Sequence, residues 1–229
     1  MQGIVKIEGV AAPIAIANLD TDQIMPKQFL RGIDKSGLDK GVFYDLRYEP
    51  DGTPKSDFYG NQPEYAGASI VVASPNYGCG SSREHAVWGM MQYGIKAVVA
   101  TSFGEIFYSN AINNLLLPAI VSDEVAETLM AYAQSGAKPM TIDIEAKTIT
   151  TEEGVYPFTL QTRHQQMFLE GTDLIGSTLK DRALIEAFIE RRREEAPWRW
   201  ICRPSVRWLN NIRVSQTKSS KVTLRIFCF

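Results

Sequence analysis

Residues 69–113 alternate between short apolar runs and longer helical patterns, and this alternation constrains the fold more than any other feature of the sequence. The runs at 69–73 and 97–101 are short, uninterrupted and rich in Val and Ala, as in strands that are buried on both faces. Helical patterns follow them at about 82–93 and 103–113. A strand–helix–strand unit of this kind sets its strands in parallel, joined by a right-handed crossover. The segment therefore predicts an α/β fold.

The rest of the chain predicts elements of another kind around this unit. Residues 141–144 and 148–151 flank a three-residue turn, which indicates an antiparallel hairpin. The stretch from 29 to 62 is rich in Gly, Asp, Lys and Pro, and a loop of this length is usually functional or disordered. We expect a mixed sheet in which the hairpin forms an additional layer. The remaining expected elements are strands at 4–7 and 155–159 and helices at 123–133 and 179–194.

Composition and charge divide the chain into two parts. With 229 residues, 45% hydrophobic and 22% charged, it is an ordinary globular protein and not a collagen-like, low-complexity or largely disordered one. Residues 197–229, however, hold seven of the 24 Lys and Arg residues, three of the four Trp, and no Asp or Glu. We therefore predict a domain at 1–196 and a basic C-terminal extension at 197–229 outside it.

Cysteine usage and hydropathy predict a cytoplasmic protein without a membrane partner. Three cysteines, Cys79, Cys202 and Cys228, cannot form a disulfide framework, and no two of them have the C-x-x-C spacing of a zinc site. A reducing compartment is the simplest interpretation. The apolar stretch at 10–17 is interrupted by Pro13, unlike a signal peptide, and no apolar run is long enough to span a bilayer.

The densest group of chemically capable residues is Y-G-C-G-S-S-R-E-H at 77–85, directly after the predicted strand at 69–73. Gly78 and Gly80 permit a tight turn and a close approach of a ligand to the backbone. Ser81 and Glu84 have the spacing of a capping box, which predicts a helix that begins near residue 82. The turn thus leads into a helix N-terminus, where backbone N–H groups favour an anion.

Side chains in the same turn favour a carboxylated or phosphorylated ligand. Arg83 offers two parallel donors that match a carboxylate. The G-x-G-x-x-G, P-loop and nucleophile-elbow templates all fail here, so a merely well-capped turn is the alternative. His85 lies one turn after Ser81, where it could act as a base or as a structural partner. His164 is expected to be a surface or capping residue.

A second polar group has the pattern N-x-D-x-D at 18–22. The pattern imitates the start of a calcium loop, but Gln23 and Phe29 stand where such a loop requires Gly and Glu. The residues themselves favour a local turn near Gln23, in which an Asp or Asn side chain accepts a backbone N–H.

Taken together, the two groups resemble the small-subunit family of 3-isopropylmalate dehydratase, in the aconitase superfamily. The resemblance covers about residues 4–194. Its motifs are N-x-D-T-D-x-I-x-P-K-Q-F-L at 18–30, F-Y-D at 43–45, N-Q-P at 61–63, Y-G-C-G-S-S-R-E-H-A at 77–86, W-x-x-x-x-Y-G at 88–94, S-F-x-x-I-F at 102–107 and N-x-L-L-P at 114–118.

The resemblance implies a fold, an activity and a partner. The fold is a swivelling β/β/α domain with a mixed sheet or barrel-like strands and flanking helices. The activity is that of a hydro-lyase in leucine biosynthesis, which interconverts 2- and 3-isopropylmalate by dehydration and rehydration. The family carries its [4Fe–4S] cluster on a separate large subunit, so we expect no metal site in this chain, a heterodimer or higher assembly, and a small carboxylate substrate. Homoaconitate or a methyl-substituted malate is the alternative substrate.

The resemblance also implies roles for individual residues. Ser81 matches the base that acts on the carbon beside a carboxylate, and the substrate-binding residues are Gly80, Ser82 and Arg83. Residues expected in the site or at the subunit interface are Asp20, Thr21, Asp22 and His85. The loop expected to select the substrate contains Leu30, Arg31, Gly32 and Ile33.

Two functions of other classes remain open on sequence alone. The basic, Trp-bearing extension suits single-stranded nucleic acid, although the acidic body and its anion-binding turn favour a chain without a nucleic-acid partner. The second function that remains open is that of a stand-alone anion-binding domain without catalysis.

Overall fold

A computed structural model describes residues 3–30, 35–81 and 83–199, which form two compact units, one ending at Lys180 and one beginning at Asp181. The strands are β1 (Lys6–Ile14), β2 (Ile70–Ala73), β3 (Ala97–Ala100), β4 (Leu117–Ile120), β5 (Pro139–Asp143), β6 (Thr148–Thr150) and β7 (Val155–Pro157). The α-helices are α1 (Thr21–Ile24), α2 (Tyr44–Arg47), α3 (Glu84–Tyr93), α4 (Glu105–Asn114), α5 (Asp123–Gln134), α6 (Thr162–Glu170), α7 (Leu174–Leu179) and α8 (Arg182–Glu195). Short 3₁₀ turns lie at Lys27–Phe29, Leu38–Gly41, Tyr59–Asn61, Pro63–Tyr65 and Pro197–Arg199.

All seven strands belong to one mixed sheet in the order β4-β3-β2-β1-β5-β6-β7. Its parallel half contains β1 to β4, as the alternation at 69–113 predicts. Strand β1 joins the two halves, because residues 6–10 pair antiparallel with β5 and residues 11–14 pair parallel with β2. The expected hairpin exists but does not form a layer of its own, since β5 extends the sheet from β1.

The sheet curls towards closure at its outer edges. The backbone N–H of Thr159, just after β7, donates to the carbonyl oxygen of Ile120 in β4 at 2.7 Å. This contact joins the two ends of the strand order and gives the sheet its barrel-like character. The predicted fold class is confirmed.

Alternating side chains of the central strands form two hydrophobic cores, one on each face. Val71 of β2 and Val98 of β3 pack with the core on the side of α3, whereas Ile70 and Val99 pack with the core on the side of α5. All four are fully buried. Burial on both faces explains why these strands are continuous apolar runs rather than alternating ones.

The structure differs from the predicted elements at β4 and at α7. Strand β4 is not evident from the sequence, because Pro118 lies within it and proline is confined to edge strands. The helix expected at 179–194 is α8, which begins at Arg182, and the preceding helix α7 is not among the predicted elements. The predicted domain boundary at 196 stays a prediction, and most of the extension lies outside the described residues.

The stretch expected to be a long loop contains α2 and two 3₁₀ turns in the part that the structure describes. Its apolar side chains Leu38, Val42, Phe43 and Tyr59 are buried in the core beside α3. In the described parts of the chain, no helix combines the length and the apolar composition needed to cross a membrane.

Candidate active site

The glycine-rich turn is fixed at the carboxyl ends of β2 and β3. Tyr77 donates its N–H to the carbonyl of Ser102 at 3.1 Å, and its own carbonyl accepts from the N–H of Gly104 at 2.9 Å. Gly78 has a φ of +72°, and a Cβ there would lie 2.3 Å from the ring of Phe107. Only glycine therefore allows the turn to pack this closely on α4.

The first residue of α1 and the segment before it hold the same turn from the other side. Thr21 is 1% exposed; its N–H donates to the carbonyl of Cys79 and its hydroxyl to the carbonyl of Ser81, both at 2.9 Å. The N–H of Gly78 donates to the carbonyl of Leu19 at 2.8 Å. The two motifs that are separated by about sixty residues in sequence thus form one structure, as the resemblance implies.

Gly80 lies against the side chain that caps α1. Its φ is +88°, and a Cβ built on it would lie 2.0 Å from Oδ2 of Asp20. The Asp20 carboxylate accepts the N–H of Asp22 at 2.6 Å, and the Gln23 side chain accepts the N–H of Asp20 at 3.0 Å. The local turn predicted near Gln23 is therefore confirmed, and it forms a complete capping box.

The capping box predicted at Ser81 and Glu84 is wrong. Helix α3 begins at Glu84 rather than near residue 82, and Arg83 is its N-cap residue, without a side-chain capping hydrogen bond. Arg83 has the extended backbone that is usual for an N-cap residue, with φ −131° and ψ 102°, and its guanidinium pairs with Asp22. The carbonyl of Ser81 is bound to Thr21. Long-range contacts thus replace the local cap.

Arg83 and Asp22 form the main charged pair of the site. Nη1 of Arg83 contacts Oδ1 of Asp22, and both atoms are shielded from solvent. Nζ of Lys27 lies 3.6 Å from the other carboxylate oxygen, so one carboxylate faces two cations. The Arg83 side chain is 14% exposed, and its guanidinium has further N–H donors that can face a ligand. Sequence reasoning did not single out Lys27, although it stands in the P-K-Q-F-L motif.

The other expected site residues lie at different positions around this pair. Ser81 is exposed, so its hydroxyl is accessible to a ligand. His85, one turn into α3, contacts the ring of Trp88 at a centroid distance of 4.8 Å. Leu30 ends the 3₁₀ turn that begins at Lys27 and donates its N–H to that residue's carbonyl at 3.1 Å. Four predicted residues, Arg31, Gly32, Ile33 and Ser82, lie outside the described residues.

His164 lies within α6, away from the motifs. Its Nδ1 is 3.3 Å from the Tyr108 hydroxyl, and partial burial, together with the nearby charge of Arg163, lowers its pKa. The prediction of a surface or capping residue fits this position only in part, since the ring is half-buried.

The described residues do not fit an iron–sulfur cluster or another metal. Among them, no group of three or more His, Cys, Asp or Glu side chains is arranged to hold an ion. The thiol of Cys79 donates to the carbonyl of Asn18 at 3.2 Å. What the arrangement offers is an exposed hydroxyl beside a guanidinium and an uncapped helix N-terminus, which suits a carboxylate ligand.

Comparison with known proteins shows the family of the chain. The family model of the aconitase C-terminal domain matches residues 1–124. The 3-isopropylmalate dehydratase small subunit 1 of Chromobacterium violaceum is 55% identical over 194 residues, which cover 84% of this chain and 92% of the relative. The small subunit of Cereibacter sphaeroides is 46% identical over 200 residues, 86% of this chain and all of the relative.

A solved structure gives the same result for the fold. The crystal structure of 3-isopropylmalate dehydratase from Methanocaldococcus jannaschii is 29% identical and has a TM-score of 0.59, with 80% of this chain and 98% of that chain covered. The resemblance seen in the motifs is confirmed. The chain belongs to the family of 3-isopropylmalate dehydratase small subunits, in the aconitase superfamily.

Proposed function

We propose that this chain is the small subunit of a 3-isopropylmalate dehydratase, which interconverts 2- and 3-isopropylmalate by removal and re-addition of water in leucine biosynthesis. The observation that carries the proposal is the joining of the 18–22 and 77–85 motifs into one site. There the exposed Ser81 lies next to Arg83, on a turn that Thr21 and Asp22 hold.

We propose Ser81 as the base of this reaction. Its Oγ takes the proton from the carbon beside a substrate carboxylate, and the electron pair of the broken C–H bond forms the new double bond. Negative charge builds up on that carboxylate during the step, so donors fixed in advance near it stabilise the transition state. A serine hydroxyl loses its proton readily only in a positive environment, which Arg83 and the α3 N-terminus supply.

Arg83 then binds the substrate carboxylate with the N–H groups that Asp22 leaves free, while Asp22 fixes the direction of the guanidinium. The missing side chain of Gly80 makes room for the Asp20 carboxylate, so its role in substrate binding stays a prediction from the resemblance. The roles of Ser82, His85 and the loop at 30–33 stay predictions from the resemblance.

The elimination also requires a group that receives the departing hydroxide. As a small subunit, the chain has a large-subunit partner, and we propose that this partner carries the [4Fe–4S] cluster for that purpose. The lack of a fitting ligand set among the described residues supports this division. A cytoplasmic location agrees with the free Cys79 thiol.

Reconstitution tests the proposal directly. The purified chain is mixed with the cluster-bearing large subunit, and conversion of 2-isopropylmalate, homoaconitate and 2-methylmalate is measured, with each subunit alone as control. We expect conversion only in the mixture and fastest for isopropylmalate. Equal rates without this chain would contradict the proposal, and faster conversion of another substrate would reassign it.

Arg83→Lys provides the matched test of the binding role. A lysine keeps the ion pair with Asp22 but has no second parallel donor for the substrate. We expect KM to rise at least about tenfold because one bidentate charge-assisted contact is lost. Arg182→Lys, a change on the exposed face of α8, is the control and leaves KM unchanged.

A further inference from the structure

Glu84 is a carboxylate in an unexpected setting. It is the first residue of α3, whose N-terminus has no side-chain cap from its N-cap residue. An acidic side chain in the first turn ordinarily turns towards the N–H groups there, because the helix dipole is positive at that end. Those same N–H groups belong to the proposed binding site for the substrate carboxylate. A Glu84 side chain lying over them would compete with the substrate.

Asn114 binds the Glu84 carboxylate instead. Its Nδ2 donates to Oε1 of Glu84 at 2.7 Å and also to the carbonyl of Asn110 at 2.9 Å. Its Oδ1 accepts from Nε1 of Trp88, one turn further along α3, at 2.9 Å. With its oxygen and its NH₂ group all engaged, the amide has only one orientation that satisfies every contact.

Asn114 lies at the end of α4 that is opposite the glycine turn. Helix α4 begins beside the glycine turn, where a Cβ on Gly104 would lie 2.4 Å from the carbonyl oxygen of Gly78. Asn114 is the last residue of α4, roughly 15 Å further along the helix axis. The contact therefore binds the Glu84 carboxylate to a residue at the C-terminal end of α4.

We infer that Asn114 is a positioning residue that keeps the negative charge of Glu84 away from the anion site at the Ser81–Arg83 turn. Asn114 does not touch the substrate; it acts through Glu84. The inference rests on the proposed function, since the ligand it protects is the substrate carboxylate.

The test is a double-mutant cycle in the reconstituted two-subunit enzyme. Asn114→Asp keeps the shape of the side chain but repels Glu84, so the carboxylate is released to the helix N-terminus. We expect KM for 2-isopropylmalate to rise about fivefold, which corresponds to the size of one helix-dipole interaction, with little change in kcat. The rise becomes smaller in high salt because the competing charge is partly screened.

Glu84→Gln distinguishes electrostatics from structure. In the single variant, the side-chain oxygen of the new glutamine still accepts a hydrogen bond from Asn114, so we expect the wild-type KM. In the Asn114→Asp background, the side-chain NH₂ group of the glutamine donates to the new carboxylate, and we expect KM to return to the wild-type value. The Asn114→Ala background separates the two roles because no hydrogen bond can re-form there: adding Glu84→Gln restores the wild-type KM if the charge of Glu84 is the cause, and leaves KM raised if Asn114 has a purely structural role. If Asn114→Asp fails to fold, Asn114→Ala with and without Glu84→Gln completes the same cycle.

The outcomes separate the two claims. A KM that is unchanged in Asn114→Asp, or raised but not restored by Glu84→Gln, overturns the inference alone. A wild-type pair that does not convert isopropylmalate overturns the proposed function and the inference with it.

Discussion

Gly80→Ala tests the close packing of the glycine turn against the side chain that caps α1. The φ of Gly80 is +88°, a conformation that costs an L-residue about 1–2 kcal/mol. The new Cβ would also lie 2.0 Å from Oδ2 of Asp20, so the capping carboxylate must move. Losing that cap costs about 1 kcal/mol more. The expected loss in the free energy of unfolding is therefore about 2–3 kcal/mol, which lowers Tm by roughly 4–12 °C in a domain of this size.

Gly67→Ala is the matched control for the backbone term. Gly67 is also exposed and has a φ of +79°, but a Cβ there meets nothing within 4 Å. Urea denaturation of both variants gives the difference that is due to Asp20, which we expect to be about 1 kcal/mol. In an Asp20→Ala background, Gly80→Ala should cost no more than Gly67→Ala. Equal costs of Gly80→Ala and Gly67→Ala in the wild-type background would refute the reasoning.

Two further substitutions test other contacts. Thr21→Val removes the hydroxyl that is bound to the Ser81 carbonyl, and we expect a loss of about 1 kcal/mol in the free energy of unfolding and a lower kcat. The control is Thr128→Val on the exposed face of α5, for which we expect a smaller loss in the free energy of unfolding and an unchanged kcat. His164 has a pKa lowered by burial and by Arg163, so the unfolded chain binds its proton first as the pH falls below about 6.5, and stability decreases there. His164→Gln should flatten the pH dependence of urea denaturation between pH 7 and the folded-state pKa; an unchanged slope would contradict the assignment.

The parallel half of the fold follows from the sequence because its signals are local. The runs that form β2 and β3 are buried on both faces, and a glycine ends α3 with its left-handed conformation, so apolar continuity and turn chemistry suffice. Strand β4 cannot be predicted in the same way, because Pro118 argues against a strand unless it is already known that the strand lies at the edge of the sheet.

The contacts around the proposed site could not be predicted from the sequence. Residue type and motif order indicate Ser81 and Arg83 and imply a link to residues 20–22. Sequence spacing assigns a capping box to Ser81 and Glu84, however, and the structure replaces it with two long-range pairs. Asp22 holds Arg83 and Asn114 holds Glu84, across separations of 61 and 30 residues. Such pairs depend on the packing of α1, α3 and α4, which no local pattern reports.

Ser81→Ala in the reconstituted enzyme tests the central claim most directly. The change removes the proposed base but keeps Arg83 and the α3 N-terminus, and Ser56→Ala, another exposed serine, is the control. Turnover and KM for 2-isopropylmalate are measured per folded molecule. We expect kcat to fall by at least about 100-fold while KM stays within a few-fold of the wild-type value. Turnover near that of Ser56→Ala would contradict the assignment of Ser81 as the base.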